Sequence, residues 1–421
     1  MLVLRKLKKL MQGNNNQSSR RHFLKTTLTL PVALAAAPAI MTQTVSAGDT
    51  PAAPAAVAPL PKRQLGKNGP QVTMLCMGGM PPALSPQYLD IAWANGIRYF
   101  DTAASYLNGN SEKIFAQWLA KYPERRKDIF LVSKDHPRQA EQMVEMVDRR
   151  LNACGTKYLD AFYIHGIGPR EYGDGSLEWP KSDEFKKTAD QLKSSGKVKM
   201  VGFSCHDGRL NDYLNAAAGG GFVEIIMLKY TPFFTKGDEF DKALDACHKS
   251  GIALVAMKTL RSAGTDIPKR VPDFDKQGLT THQAMLHAVW SDPRISAVCC
   301  QLENVGQLEE NAAAARSYKT PLKTAQINLL KEMLLASRRT FCPGCPSCDA
   351  FAASSGFALL DVARYVTYYE QDGHLGARES YHALPASARD ASGVDLAALR
   401  DRCAFHVDYP EVVRRAERYF A

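Results

Sequence analysis

The sequence predicts an α/β protein: a (β/α)8 TIM barrel followed by a mainly helical, cysteine-rich C-terminal extension. Three observations carry that expectation. Between Gln71 and about Ala315, eight short apolar runs alternate with amphipathic segments, and such a rhythm demands parallel pairing with helices between strands. The stretch is roughly 250 residues long, the size such a barrel occupies. Beyond residue 316 the rhythm stops, and the chain runs on to Cys342-Pro343-Gly344-Cys345-Pro346-Ser347-Cys348.

Taken in order, the chain opens on a basic segment. Ser19-Arg20-Arg21-His22-Phe23-Leu24-Lys25 leads into a mildly apolar stretch, 26–41, and then Val45-Ser46-Ala47 offers small residues to a signal peptidase. Residues 1–47 thus resemble a twin-arginine export signal, which implies the twin-arginine translocation machinery as a partner and a periplasmic location. A membrane anchor fits less well, because Pro31, Pro38 and several Thr interrupt the apolar run. Residues 48–61 read as an Ala/Pro-rich linker. Seven basic residues (Arg5, Lys6, Lys8, Lys9, Arg20, Arg21 and Lys25) precede residue 48 with no acid to offset them, so the formal charge of +10 leaves only +3 for the rest. No basic stripe with interleaved aromatics follows, which argues against a nucleic-acid partner.

The barrel is expected over 62–316. Its strands read as 72–77, 97–102, 129–133, 161–165, 199–204, 222–230, 253–258 and 295–300, each a short run rich in apolar and β-branched residues. Helices read as 139–153, 184–195 and 239–250, stopped by Gly155, Gly196 and Gly251. A doubly wound open sheet also alternates, but it wants a glycine-rich phosphate loop after its first strand. Cys76-Met77-Gly78-Gly79-Met80 is not that pattern. The extension, 317–421, begins with one more amphipathic helix at 321–339.

Four polar residues stand just past apolar runs: Asp101 and Tyr106 in F-D-T-A-A-S-Y, Lys134 in F-L-V-S-K-D-H, and His165 in F-Y-I-H-G. Barrel strands aim their C-terminal ends at one mouth, so these side chains are expected to converge there. A phenol is too weak an acid to serve unaided near neutral pH, and a buried ammonium is expected to lower its pKa. Lys134 would act so on Tyr106, Asp101 would hold Lys134 charged, and His165 would orient a carbonyl. Singly, each has a plainer reading as a cap, a packed aromatic, a surface charge or a core imidazole. Their gathering at strand ends favours catalysis.

With those residues in view, 62–316 resembles the aldo-keto reductase family. F-D-T-A-A-S-Y, L-V-S-K, Y-L-D-A-F-Y-I-H, V-G-F-S and Gln307-Leu308-Glu309-Glu310-Asn311 follow its landmarks in order. The resemblance implies NADP(H)-dependent reduction or oxidation of a small carbonyl or alcohol, with Tyr106 as acid and Ser204, Lys258, Glu310 and Asn311 on the cofactor. Four positions depart from the family pattern. Ser204 is followed by Cys205 rather than Asn, Met227 replaces a Gln of the sixth strand, Met257 replaces a nicotinamide-stacking Tyr, and the glycine that begins the family's last phosphate-binding turn is replaced near Gln301.

Ten cysteines fall into two groups. Cys76, Cys154, Cys205, Cys247, Cys299 and Cys300 lie in strands or helices and read as small core residues. Cys342, Cys345 and Cys348, spaced C-x2-C-x2-C, match the start of a ferredoxin-type ligand run, with Cys403 as the available fourth thiolate. A 4Fe-4S cluster is the expectation; a zinc ion held by the same four thiolates and a disulfide framework are the rivals. The segments V-A-R-Y-V-T-Y-Y-E and A-R-E-S-Y-H-A-L-P resemble the ferredoxin-like extension of the iron-sulfur branch of that family, where a second cysteine run often follows. Here only Cys403 and Pro410 of such a run remain, and His406 is a substitute ligand to weigh.

The sequence therefore leads to an exported oxidoreductase with one cluster, which admits a redox partner for the exchange of electrons. The alternative is a non-catalytic barrel that binds its ligand and uses a structural metal, held by four cysteines, as a staple.

Overall fold

The structure is a computed structural model in which residues 59–233, 237–262, 267–337, 340, 342, 348, 351–352, 354–372, 375–403, 405 and 407–421 are described. The export segment 1–47, most of the 48–61 linker, Cys345 and His406 lie outside the described residues.

The described chain opens on an antiparallel hairpin of β1 (Lys62–Gln64) and β2 (Gln71–Thr73). Eight parallel strands then close into the barrel: β3 (Leu75–Gly78), β4 (Tyr99–Asp101), β5 (Phe130–Asp135), β6 (Leu159–Ile164), β7 (Val198–Cys205), β8 (Ile225–Lys229), β9 (Ala253–Met257) and β10 (Ile295–Cys300). Strand β10 pairs with β3 to complete the ring. The hairpin corrects the expectation of one strand over 72–77. The chain breaks at Met74, whose amide bonds the Pro61 carbonyl, and Val72 packs with Leu65 into the cluster that fills the barrel. Both halves of the run bury apolar side chains, so hydrophobicity alone does not reveal the break.

Alternation along each strand sorts side chains to two cores. Cys76, Tyr99, Val132, Ala161, Tyr163, Met200, Met227, Val255 and Ala297 point into the barrel. Phe100, Leu131, Phe162, Phe203, Leu228, Leu254 and Val298 point outward against helix residues such as Trp118, Leu151, Leu214, Leu244 and Leu286. The helices lie where their periodicity placed them: Gln142–Cys154, Asp183–Ser194 and Asp238–Lys249. Their glycine stops, Gly155, Gly196 and Gly251, all adopt positive φ, which costs a residue without a Cβ little. Thr280 and Gln283 form a reciprocal capping box on Thr281–Trp290.

The extension begins with Thr324–Ser337 and continues through Leu359–Asp372, Leu375–His382, Leu396–Arg402 and Tyr409–Phe420. It has its own apolar core, including Phe357, Val362, Val366, Leu399, Val412 and Phe420. Its helix Leu359–Asp372 reaches barrel residues that follow strand ends. Tyr368 accepts a hydrogen bond from Lys258, Tyr365 accepts one from Arg170, and Asp361 stands 3.4 Å from Arg170.

Candidate active site at the barrel mouth

Strands β4 and β5 are neighbours in the ring, with Asp101 paired to Val132 in register and Lys134 two residues further on. Both side chains therefore point inward at the same end of the barrel. Lys134 Nζ donates to Asp101 Oδ2 at 2.6 Å, to the Thr102 carbonyl at 2.8 Å and to the Tyr106 phenol at 3.1 Å. All three ammonium protons are thus committed. Lys134 is 0% and Asp101 1% exposed, so the ion pair is screened from water.

Tyr106 reaches this point from a tight turn after β4 in which Leu107 and Asn108 both have positive φ. Left-handed backbone is uncommon for Leu, and here it accompanies a functional side chain. His165 meets the Tyr106 ring edge-on, with centroids 5.4 Å apart. Its amide donates to the Asp135 carbonyl, and its own carbonyl accepts from the Tyr172 hydroxyl at 2.7 Å. The four residues expected from sequence are brought together.

Electrostatics differ from the expectation in one respect. Burial pushes the Tyr106 phenol up to about 12, although Lys134 pulls the other way. Desolvation outweighs the neighbouring ammonium, so the phenol stays protonated at neutral pH. Burial also raises the Asp101 carboxyl against the pull of Lys134. Burial alone would lower the Lys134 ammonium, but Asp101 and Tyr106 together hold it above its ordinary value. His165 is held well below the usual imidazole range by burial, then by Lys134, His136 and Lys258. It is a neutral imidazole whose buried Nδ1 has no hydrogen-bond partner among the described residues. A protonated phenol, a fixed cation and a neutral imidazole in one mouth can donate a proton and a hydrogen bond to a carbonyl oxygen.

Two neighbours were not singled out in the sequence. The His136 ring lies 4.7 Å from that of His165, and the Tyr172 hydroxyl lies 3.2 Å from His136 Nδ1. His136 follows Lys134 by two residues, so strand alternation does point to it. Tyr172 sits in a short helical turn, Pro169–Tyr172, which has no period to read.

The residues expected to hold a cofactor are dispersed. Ser204, 2% exposed at the end of β7, accepts from the Gly166 amide at 2.8 Å, one residue from His165. Lys258 follows β9 with φ of 60°. Glu310 accepts from the Thr280 hydroxyl at 2.6 Å, and Asn311 is buried with a hydrogen bond to Cys300. Neither of these two is hydrogen-bonded to the quartet. Met227 is buried beside Ser204 in register and Met257 is half-buried, so neither thioether supplies an amide-type hydrogen bond.

In the extension, Cys342 Sγ lies 3.8 Å and Cys403 Sγ 3.9 Å from the Tyr409 hydroxyl, which Cys348 also meets in a hydrogen bond. Burial, followed by the three sulfurs, drives the Tyr409 phenol far above its ordinary value. Among the described residues, no group of three or more His, Cys, Asp or Glu side chains is arranged to hold a metal ion.

A closed parallel barrel with a phenol, an ammonium and a carboxylate in contact at its mouth defines a class of enzyme, the carbonyl-alcohol oxidoreductases built on (β/α)8 barrels. Residues 71–313 match the Aldo/keto reductase family, and the chain belongs to it. It is an oxidoreductase of the aldo-keto reductase type. Among curated proteins it is 26% identical to the uncharacterized oxidoreductase YrpG of Bacillus subtilis (strain 168), over 62% of this chain and 85% of that one. It is 24% identical to L-galactose dehydrogenase of Arabidopsis thaliana, over 61% and 89%. Methylglyoxal reductase YeaE of Escherichia coli (strain K12) is 26% identical over 40% of this chain, which spans about half (55%) of that enzyme. Among solved structures, the thermostable aldo-keto reductase Tm1743 superimposes with a TM-score of 0.51 at 23% identity, covering 65% of this chain and 100% of that one. An aldo/keto reductase from Klebsiella pneumoniae in complex with NADP and acetate gives 0.51 at 20% identity, covering 66% and 96%. These likenesses show the barrel fold.

Proposed function

We propose that the protein is an exported, NADP(H)-dependent oxidoreductase acting on a small carbonyl or alcohol, with one 4Fe-4S cluster in its extension. The observation that carries the catalytic part is the 3.1 Å contact between Lys134 Nζ and the Tyr106 phenol, backed by Asp101 at 2.6 Å. In reduction, Tyr106 gives its proton to the carbonyl oxygen. Lys134 stabilises the phenolate left behind, Asp101 keeps that ammonium charged and aimed, and His165 donates a hydrogen bond that orients the carbonyl. In oxidation the same phenolate takes the alcohol proton. NADP(H), when bound, supplies or takes the hydride; Ser204, Lys258, Glu310 and Asn311 are the residues of this chain that would hold it.

Nicotinamide dependence draws support from neighbours of the same fold described in complex with NADP and NADPH. The names of relatives, methylglyoxal reductase and L-galactose dehydrogenase among them, support a small carbonyl or alcohol as substrate. The cluster reading rests on donor chemistry, since Cys342, Cys348 and Cys403 gather around one hydroxyl and soft thiolates suit iron-sulfur centres. Cys345 completes the proposed set. Export and a periplasmic site rest on Arg20-Arg21 and Val45-Ser46-Ala47, with the twin-arginine machinery as the partner during transit.

The test is NADPH oxidation by the full chain over a panel of small aldehydes and ketones, beside Tyr106→Phe. Turnover that the substitution abolishes supports the reading. Failure to consume NADPH with any member of the panel would overturn it. Sequencing the N-terminus of protein from the periplasmic fraction tests export, with cleavage after Ala47 as the expected result.

A further inference from the structure

Behind the quartet, two adjacent side chains at the start of one helix hold the segments that carry Asp101 and Lys134. The turn Tyr106–Gly109 runs straight into the helix Asn110–Lys121, whose first turn includes Ser111 and Glu112. Both are buried, at 0% and 1% exposure. Ser111 Oγ stands 2.7 Å from Thr102 Oγ1, and the Thr102 carbonyl is itself an acceptor of the Lys134 ammonium. Glu112 Oε1 accepts from Ser133 Oγ at 2.5 Å, on the residue next to Lys134. One helix end thus grips the ends of β4 and β5.

Alternation explains the placing. Val132 and Lys134 point into the barrel, so Ser133 and Asp135 turn outward to the helix layer. Glu112 meets Ser133 there, beside the Cys154 thiol at 3.7 Å. Arg150, on the helix Gln142–Cys154, lies 3.5 Å from Glu112 Oε2 and 3.4 Å from Asp135 Oδ2. The residues on both sides of Lys134 are therefore tied to one carboxyl group, directly at Ser133 and through Arg150 at Asp135. Asp135 passes the constraint on, because its carbonyl accepts from the His165 amide at 2.9 Å. Gly79 closes the other side: a Cβ there would stand 2.6 Å from Ser111 Oγ and from the Asp101 carbonyl oxygen. An acid in the first turn of a helix has a plain reading, the favourable end of the helix dipole. That role needs no burial, and Glu112 is turned away from water at a cost that only engaged oxygens offset.

We propose that Glu112, with Ser111 and Arg150, is a positioning residue of the reaction: through Ser133, Asp135 and Thr102 it fixes where the Lys134 ammonium stands against the Tyr106 phenol. The inference rests on the oxidoreductase reading and deepens it by naming what sets the 3.1 Å contact. These groups act from behind the barrel wall. Misplacing a reacting group by about 1 Å costs about 10²-fold in rate, so a hydrogen bond outside the wall can govern turnover.

The experiment measures reduction of 4-nitrobenzaldehyde by NADPH with the full chain. Alongside it, a readout that needs no turnover is the carbon-13 resonance of the Tyr106 Cζ in tyrosine-labelled protein, assigned by its absence in Tyr106→Phe. Glu112→Leu should lower kcat by about 10- to 100-fold, leave KM for the aldehyde within about twofold, and move the Tyr106 resonance. Glu112→Gln, which keeps an acceptor for Ser133, should recover most of the rate and return the resonance toward its parental position. Should Glu112→Leu fail to fold, Ser133→Ala removes the same hydrogen bond with the loss of one oxygen and carries the same expectation. Parental kcat and an unmoved Tyr106 resonance in a folded variant, whatever its melting temperature, overturn the proposal and leave Glu112 a packing residue. A raised KM at parental kcat would assign Glu112 to substrate binding and overturn it equally. If the parent chain reduces no aldehyde of the panel, the reductase reading fails, and the resonance still decides whether Glu112 positions Lys134 against Tyr106.

Discussion

The ammonium of Lys134 stands 3.1 Å from the phenol of Tyr106, and the phenol nonetheless holds its proton up to about 12. Burial dominates the pair, and the lysine tempers a rise it does not reverse. Tyr106 is accordingly stored as an acid, ready for reduction, and its proton leaves only when charge develops on a bound oxygen.

Replacing Tyr106 by Phe removes that proton and little volume. Steady-state reduction should fall by about 10² to 10⁴-fold, the range general acid catalysis supplies, while the circular dichroism spectrum and melting temperature stay near those of the parent. Retained turnover would mean that another group protonates the substrate.

Lys134→Met should do more damage than loss of activity. It leaves Asp101, 1% exposed, as a buried carboxylate without its counter-charge, a defect worth about 3–5 kcal/mol. Denaturant titration should show the lower midpoint. Combining it with Asp101→Asn should recover part of the stability but not the activity, and a double variant no more stable than the single one would refute the ion-pair account.

The pH profile follows from Tyr106. Its pKa in the folded protein lies above the ordinary phenol value, so the proton-donating form persists throughout the neutral range. Reduction should be level between about pH 6 and 9, and alcohol oxidation, which needs the phenolate, should climb by up to about tenfold per pH unit there. His165 is held neutral, so neither direction should show an acidic limb from it near neutrality. A bell centred near pH 7 in both directions would contradict the assignment.

Removing one sulfur tests the extension. Cys403→Ser should abolish iron and acid-labile sulfide in anaerobically purified protein and make the segment after residue 337 more sensitive to protease, because the proposed metal braces it. Zinc in place of iron in the parent protein would select the zinc site instead. Intact iron stoichiometry in the variant would remove Cys403 from the ligand set.

Several of these features were legible without coordinates. Asp101, Lys134 and His165 end apolar runs of strand length, and once the rhythm implies a parallel barrel, their place at one mouth follows. Tyr106 was legible as a neighbour of Asp101, though the left-handed turn at Leu107 and Asn108 that delivers it was not. The split of 72–77 into a hairpin strand and a barrel strand was hidden, because both halves carry the same apolar signal.

The sequence by itself determined the barrel, its helical rhythm and the identities of the four groups at its mouth, since these depend on local periodicity and strand polarity. Only the tertiary structure decided how tightly Tyr106 keeps its proton and that Tyr368 of the extension meets Lys258. Desolvation and contact between segments distant along the chain are properties of the packed molecule, and no window of sequence contains them.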